Sequence, residues 1–253
     1  NGNIVGISVA TQTWSGYFPI AHEGGGNMDK ALVRKWLQEV LNNSADKIFH
    51  NSMYDVCWLR SEGYTIKGRI IDTMIGAAVV DENQLRYDLN SCSRRYLGQS
   101  KDEAALYDAA KSWGVDAKAE MYKLPAMYVG SYAEKDAVLT YKLWQELKKE
   151  IEHQDIHDVW KLETDLFPCL VDMRFLGVRV NQEQAAIEKK TLVEQEKKLL
   201  LAVKQKTNVE VQIWAARSIA QVFDKLKLPY DRTAKTQAPS FTKNFLMHHP
   251  HPV

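Results

Sequence analysis

The sequence predicts an α/β fold, and three observations carry that reading. Asn3–Thr11 (NIVGISVAT) and Gly16–His22 (GYFPIAH) are short apolar runs with β-type residues, read as a strand and its hairpin partner. Ile48 and Phe49 read as the end of a buried strand that passes into an apolar helix with Trp58 and Leu59. Ile70–Val80 repeats the strand-to-helix passage. Short strands alternating with helices are the pattern of a sheet covered by helices.

In chain order, Pro19 favours an edge position for the second strand, because proline cannot donate to a ladder. The HEGGGN loop that follows has no GK[ST] after its glycines, so it reads as a flexible connection and not as a phosphate cradle. Leu32, Val33, Trp36, Leu37, Val40 and Leu41 recur at helical spacing and make Asp29–Leu41 a core-facing helix. Asp72 or Thr73 caps the helix of the 70–80 passage. Asp88–Leu97 is a helix ended by Gly98, and Lys101–Trp113 another ended by Gly114.

Ser131 and Glu134 form an S-x-x-E capping box, which starts the next helix at Tyr132. The sequence turns highly charged from Gln145 to Asp158, and a domain boundary is expected near His153. Leu162–Phe175 is an apolar helix interrupted near Pro168 and closed by Gly177; Gln182–Lys206 is a long, largely exposed helix; Ala215–Leu226 is amphipathic; Thr233–Pro239 is a polar loop carrying Lys235. There is no internal repeat.

Of 253 residues, 45% are apolar and 26% charged, which describes a folded chain and excludes disorder. No apolar run is long enough to span a membrane, so no membrane association is expected. Cys57, Cys92 and Cys169 are few and far apart, fitting reduced thiols without zinc-type spacing. The net charge of +1 gives no global pull on a polyanion. From Lys204 onward eight Lys/Arg stand against three acidic residues, a local excess that suits a phosphate backbone and equally suits a solvated surface. Asn1 lies inside a strand-like run and Val253 follows HPHP directly, so the chain is expected to be a piece of a longer protein.

Two constellations carry chemistry. In KIFHNSMYDVCWL, Asn51 follows the strand at once and Asp55 comes four residues later. That places a carboxylate one helical turn past the carboxyl end of a strand, where α/β sheets bind ligands. Asn51 reads equally as a helix cap and Asp55 as a solvated side chain. In YVGSYAEKDAVLTYKLW, Tyr132 and Asp136 are i and i+4, stacked on one helix face. There the plainer alternatives are a packed tyrosine and a carboxylate placed near a helix N-terminus.

With both in place, the chain resembles the 3'-5' proofreading exonuclease domain of family A DNA polymerases, of the phage type, continuing into the start of the polymerase domain. Asn51-x-x-x-Asp55 looks like that family's second exonuclease motif and Tyr132-Ala-x-x-Asp136 like the third. Asp72-Thr73-Met74, Leu89 and Arg95-Tyr96-Leu97-Gly98 fit the intervening helices. Leu176-Gly177-Val178-Arg179-Val180 resembles the element that opens the polymerase domain. Phe223–Phe245 resembles the thumb segment, with Gln237 where the family carries glycine.

The resemblance implies an RNase H-like 3'-5' exonuclease fold, a mixed sheet flanked by helices and here lacking its first strand, followed by an α-helical thumb segment. It implies an exonuclease domain over 1–153 and the beginning of the polymerase domain over 154–253. The implied reaction is two-metal hydrolysis of the 3'-terminal phosphodiester with Mg²⁺ or Mn²⁺. Asp136 would ligate the metal that binds the attacking water, Tyr132 would orient that water, and Asp55 would reach the second metal. Asn51, Arg95 and Lys235 are the implied DNA contacts. The implied partners are the single-stranded DNA 3' end, primer-template DNA and the remainder of the polymerase chain, in the cytoplasm of a bacterial or phage-infected cell.

The family's first motif, D-x-E, occurs nowhere in this chain, so the chain by itself is expected to be inactive or nearly so. The alternative is a degenerate exonuclease scaffold that only binds and guides single-stranded DNA. A third reading is a relative of RNase D-like RNA exonucleases, against which the thumb-like segment argues.

Overall fold

The computed structural model describes residues 2–101 and 103–251. The expectations drawn from Asn1 and Val253, and one position of the 101–113 helix, lie outside the described residues. Two compact units divide the chain at Gly177 and Val178.

The first unit opens with β1 (Gly6–Ala10) and β2 (Ser15–Pro19), an antiparallel pair in the register Gly6–Pro19 to Ala10–Ser15. α1 (Lys30–Asn42) follows; its cap is Asp29, whose carboxylate accepts the Leu32 N–H. β3 (Lys47–Phe49) runs parallel to β4 (Ile70–Asp72), with α2 (Ser52–Ser61) crossing between them. α3 (Thr73–Val80), α4 (Leu89–Leu97) and α5 (Ala104–Trp113) lead into the long α6 (Ala126–His153) and then α7 (His157–Leu176).

Apolar spacing explains the packing. α6 buries Leu139, Leu143, Leu147 and Ile151 against Ala77 of α3 and Leu89 and Cys92 of α4. Its first turns bury Val129 against Leu106 and Ala110 of α5. α1 and α2 contribute Leu37, Leu41 and Leu59 to a core that Ile7 of β1 and Phe49 of β3 both touch. Each fully buried side chain of this kind stabilises the unit by about 1.5–3 kcal/mol.

Several expectations need correction. The S-x-x-E box does not start a helix: α6 begins at Ala126, after Pro125, and Ser131 and Glu134 lie inside it. Glu134 instead accepts the Ser15 hydroxyl at 2.6 Å. The HEGGGN loop is not a free connection; it anchors that earlier start. Glu23 N–H donates to the Tyr122 carbonyl, Ala126 N–H donates to the Gly25 carbonyl, and a Cβ on Gly24 would lie 2.3 Å from the Pro125 nitrogen. α5 starts at Ala104, which leaves Lys101 outside the helix. α7 continues through Pro168, with Phe167 and Val171 buried on either side of it.

Among the described residues the strands of this unit pair as an antiparallel ladder, β1–β2, and a parallel one, β3–β4, the mixture of directions expected of the fold class. β1 and β3 each have one partner among the described residues, and all five residues of β1 stay half-buried. α6 packs on both strands.

The amino ends of β3 and β4 are fixed by a buried lysine. Lys47 points its ammonium at the carbonyls of Asn43, Ala45 and Lys67 at 2.5, 2.7 and 2.8 Å, and at Asn43 Oδ1 at 2.9 Å. Buried charge persists only where it is fully hydrogen-bonded, and this one is.

The second unit holds α8 (Gln182–Thr207), α9 (Ala216–Lys225), the hairpin of β5 (Asp231–Arg232) and β6 (Pro239–Ser240), and α10 (Lys243–Met247). Its core is aromatic: Phe223 meets Tyr230, Phe241, Phe245 and His249 with ring centroids 4.9–6.1 Å apart. α8 buries only Thr207 near its end, as its charged sequence predicts. Gln237 adopts φ +54°, the left-handed conformation that glycine favours, in the β5–β6 turn.

Candidate functional site

Asn51 stands at the head of α2 with φ 65°, ψ 52°, a left-handed conformation that asparagine tolerates better than most residues. Its side chain makes no cap bond, so the reading of Asn51 as a capping side chain is corrected. The carboxylate of Asp72, at the end of β4, does the capping. One oxygen accepts the Asn51 and Met74 N–H groups at 3.0 and 2.9 Å, and the other accepts the Ser52 N–H and hydroxyl, both at 2.7 Å. Asp72 thereby caps two helices and ties both strand ends together.

Asp55 lies in the first turn of α2 and is half-buried. Burial pushes its carboxyl up to about 6, opposed by its own backbone N–H and assisted by the Asp72 charge. His50, between β3 and Asn51, donates to or accepts from the Thr73 hydroxyl at 2.8 Å. Burial lowers its pKa, Asp72 raises it, and the Lys101 charge lowers it again.

Tyr132 and Asp136 lie on one face of α6, and Asp136 sits about three turns in from Ala126, so no helix terminus explains the carboxylate. Lys101 Nζ meets Asp136 Oδ2 at 2.7 Å, with the two side chains only 15% and 23% exposed. Asp136 Oδ1 is buried and has no hydrogen-bond partner among the described residues. Tyr132 is held by the second lysine: Lys118 Nζ donates to its hydroxyl at 3.2 Å and lies 4.6 Å from its ring centroid, while Lys101 Nζ lies 5.4 Å from the same centroid. Lys118 is itself paired with Glu103 at 2.5 Å. These bonds push the Lys118 ammonium well above its usual pKa against the opposing effect of burial.

The structure thus groups Tyr132 and Asp136 around Lys101, and Lys101 is near enough to His50 to act on its charge. The other two expected contacts lie elsewhere. Arg95 is exposed on α4, ion-paired with Asp81 and 5.9 Å from the Tyr96 ring. Lys235 is exposed in the β5–β6 turn of the second unit. Lys101 and Lys118 escaped sequence reasoning, because no local pattern links them to residues 35 and 14 positions away. The DTM triplet after a strand was the signal for Asp72.

Do these groups fit a divalent metal? A buried, unpartnered Asp136 oxygen suits a cation, but its other oxygen already has an ammonium. Among the described residues no three His, Cys, Asp or Glu side chains converge as a ligand set. The groups present do not make a metal centre on their own.

Residues 3–152 match the family model described as 3'-5' exonuclease. The DNA-directed DNA polymerase of Pseudomonas phage M6 is 30% identical over all of this chain and 39% of its own length. DNA polymerase DpoZ of Acinetobacter phage SH-Ab 15497 is 35% identical over 59% of this chain and 25% of its length. The chain therefore spans about a quarter to two fifths of these curated relatives. Among solved structures, the polymerase domain of Pol1 from M. smegmatis, in complex with DNA primer-template and dNTP, superposes with a TM-score of 0.62 at 16% identity, over 97% of this chain and 38% of that one. At that identity the likeness concerns the fold. Among the described residues, no helix is long and apolar enough to cross a membrane.

Proposed function

The chain belongs to the 3'-5' exonuclease domain family of family A DNA polymerases, and we propose that it is the proofreading portion of such a polymerase, removing mispaired nucleotides from a DNA 3' end during replication. The observation that carries this is the placement of Tyr132 and Asp136 on one face of α6, the helix that packs on β3, whose chain leads directly into Asn51 and Asp55 of α2.

In this reading Tyr132 orients the attacking water through its hydroxyl, which Lys118 already positions. Asn51 keeps its side chain for the terminal nucleotide, since Asp72 has taken over the capping. Arg95 in the first unit and Lys235 in the second each offer exposed charge suited to a phosphate. Asp55 and Asp136 would be the ligands this chain contributes to divalent cations, Mg²⁺ or Mn²⁺, which would activate the water when bound.

The remaining carboxylates belong to an Asp-x-Glu strand that we place between β1 and β3. Both strands have an open edge among the described residues and share the α1–α2 core on one side and α6 on the other. Without that strand, hydrolysis by this chain is negligible. The exonuclease unit ends near 153 and the polymerase portion begins with α7, which packs on α2 through Phe167 and Val171. The site of action is the cytoplasm of an infected or bacterial cell.

The Lys101–Asp136 ion pair favours a second reading, a scaffold that guides single-stranded DNA without cutting it. Both readings bring a 3' end to this site. An oligonucleotide with a photoreactive 3'-terminal base should crosslink to peptides containing Asn51 or Tyr132, and one labelled at the 5' end should not. Equal labelling from both ends, or labelling confined to other peptides, overturns the proposal.

A further inference from the structure

The carboxylate expected to take a metal already has a cation. We propose that Lys101 is the resident counter-ion of the site, and that a divalent cation gains Asp136 only by displacing it. The inference rests on Asp136 being a metal ligand in the reading above.

Three observations carry it. The Lys101–Asp136 pair is largely withdrawn from water, unlike the exposed pairs elsewhere such as Lys161–Asp165. It is therefore weakly screened. Lys101 is delivered by a loop and not by a helix: α5 starts only at Ala104, and the Lys101 N–H is held by Asn90 Oδ1 at 3.1 Å. Its position is set by that anchor and by Asp136, with no helical neighbour directing it. Finally, the two oxygens of Asp136 are used unequally, Oδ2 for the ammonium and Oδ1 for no described group. A cation arriving at Oδ1 would share one carboxylate with the ammonium, and two positive charges so close repel strongly in a half-buried site.

Lys101 also stands 5.4 Å from the Tyr132 ring centroid, with Lys118 on the same ring at 4.6 Å. Tyr132 and Asp136 are thus each held in place by a lysine. Lys101 is a positioning residue in that state and a competitor for metal in the next.

Mn²⁺ titration followed by water-proton relaxation tests this on the chain itself, with circular dichroism as the check on folding. The Lys101→Met and Lys101→Gln variants should bind Mn²⁺ about tenfold more tightly than the parent chain. Lys101→Arg, which keeps the charge, should not. The gain should vanish in the Lys101→Met/Asp136→Asn double variant. No gain in a folded Met or Gln variant overturns the proposal, as does a gain that survives Asp136→Asn. Unfolding of both neutral variants that Mn²⁺ does not reverse also overturns it, because a replaceable counter-ion must have a working substitute. Failure of the exonuclease reading shows separately, as absence of 3'-nucleotide release by the chain extended with an Asp-x-Glu strand, whatever residue stands at 101.

Discussion

The Asp72 carboxylate accepts both the backbone N–H and the hydroxyl of Ser52 at 2.7 Å, so the residue that ends β4 fixes the first residue of α2. With the Asn51 and Met74 N–H groups on its other oxygen, this buried side chain replaces four donors' worth of water. Asp72→Ala leaves those donors unsatisfied and should cost about 3 kcal/mol of stability in urea unfolding. Asn is a poorer acceptor at the same site, so Asp72→Asn should cost less but remain clearly destabilising.

Asp55 should make stability fall as pH rises. Its folded-state pKa of about 6 lies above the ordinary 3.8, so the native state holds the proton more tightly than the unfolded chain. Below about pH 4 both states are protonated and the cost is nil. Between roughly 4 and 6 the unfolded state ionises first and the native state loses about 2–3 kcal/mol. Asp55→Asn should therefore raise Tm at pH 7.5 and leave it nearly unchanged at pH 4.

Lys47→Met removes the donor shared by three carbonyls and one amide oxygen. The loss should be about 2–3 kcal/mol. Because Lys67 precedes β4 and Asn43 follows α1, hydrogen exchange should accelerate first in the 43–49 and 67–72 segments.

Gln237→Gly should stabilise the second unit by about 0.5–1 kcal/mol, because the left-handed φ at this position carries no penalty for glycine. Thermal unfolding followed through the aromatic cluster around Phe223 reads this directly.

Much of the fold is legible in the sequence. Helical spacing located α1 and α9, and the paired strand-to-helix passages located β3–α2 and β4–α3, because those patterns reflect one buried face per element. The start of α6 was not legible. A plausible capping box at Ser131 yields to Pro125 and the glycine loop packed upon it, a contact that sequence spacing does not encode. In the same way the i, i+4 pairing of Tyr132 and Asp136 was readable from helix geometry alone. Their lysine partners arrive from loops beyond α4 and α5 and become visible only in three dimensions. Gln237 shows the converse: its glycine-like turn geometry survives where the residue does not.

The most direct test of the central claim is release of 3'-terminal nucleotides from single-stranded DNA in Mg²⁺. It compares this chain with the same chain carrying an Asp-x-Glu strand fused ahead of Gly2. The account predicts negligible release by the chain alone, mononucleotide release from the 3' end by the extended chain, and loss of at least about a hundredfold of that activity in Asp136→Ala. A folded extended chain that binds DNA but releases no nucleotide, or one whose activity survives Asp136→Ala, would contradict it.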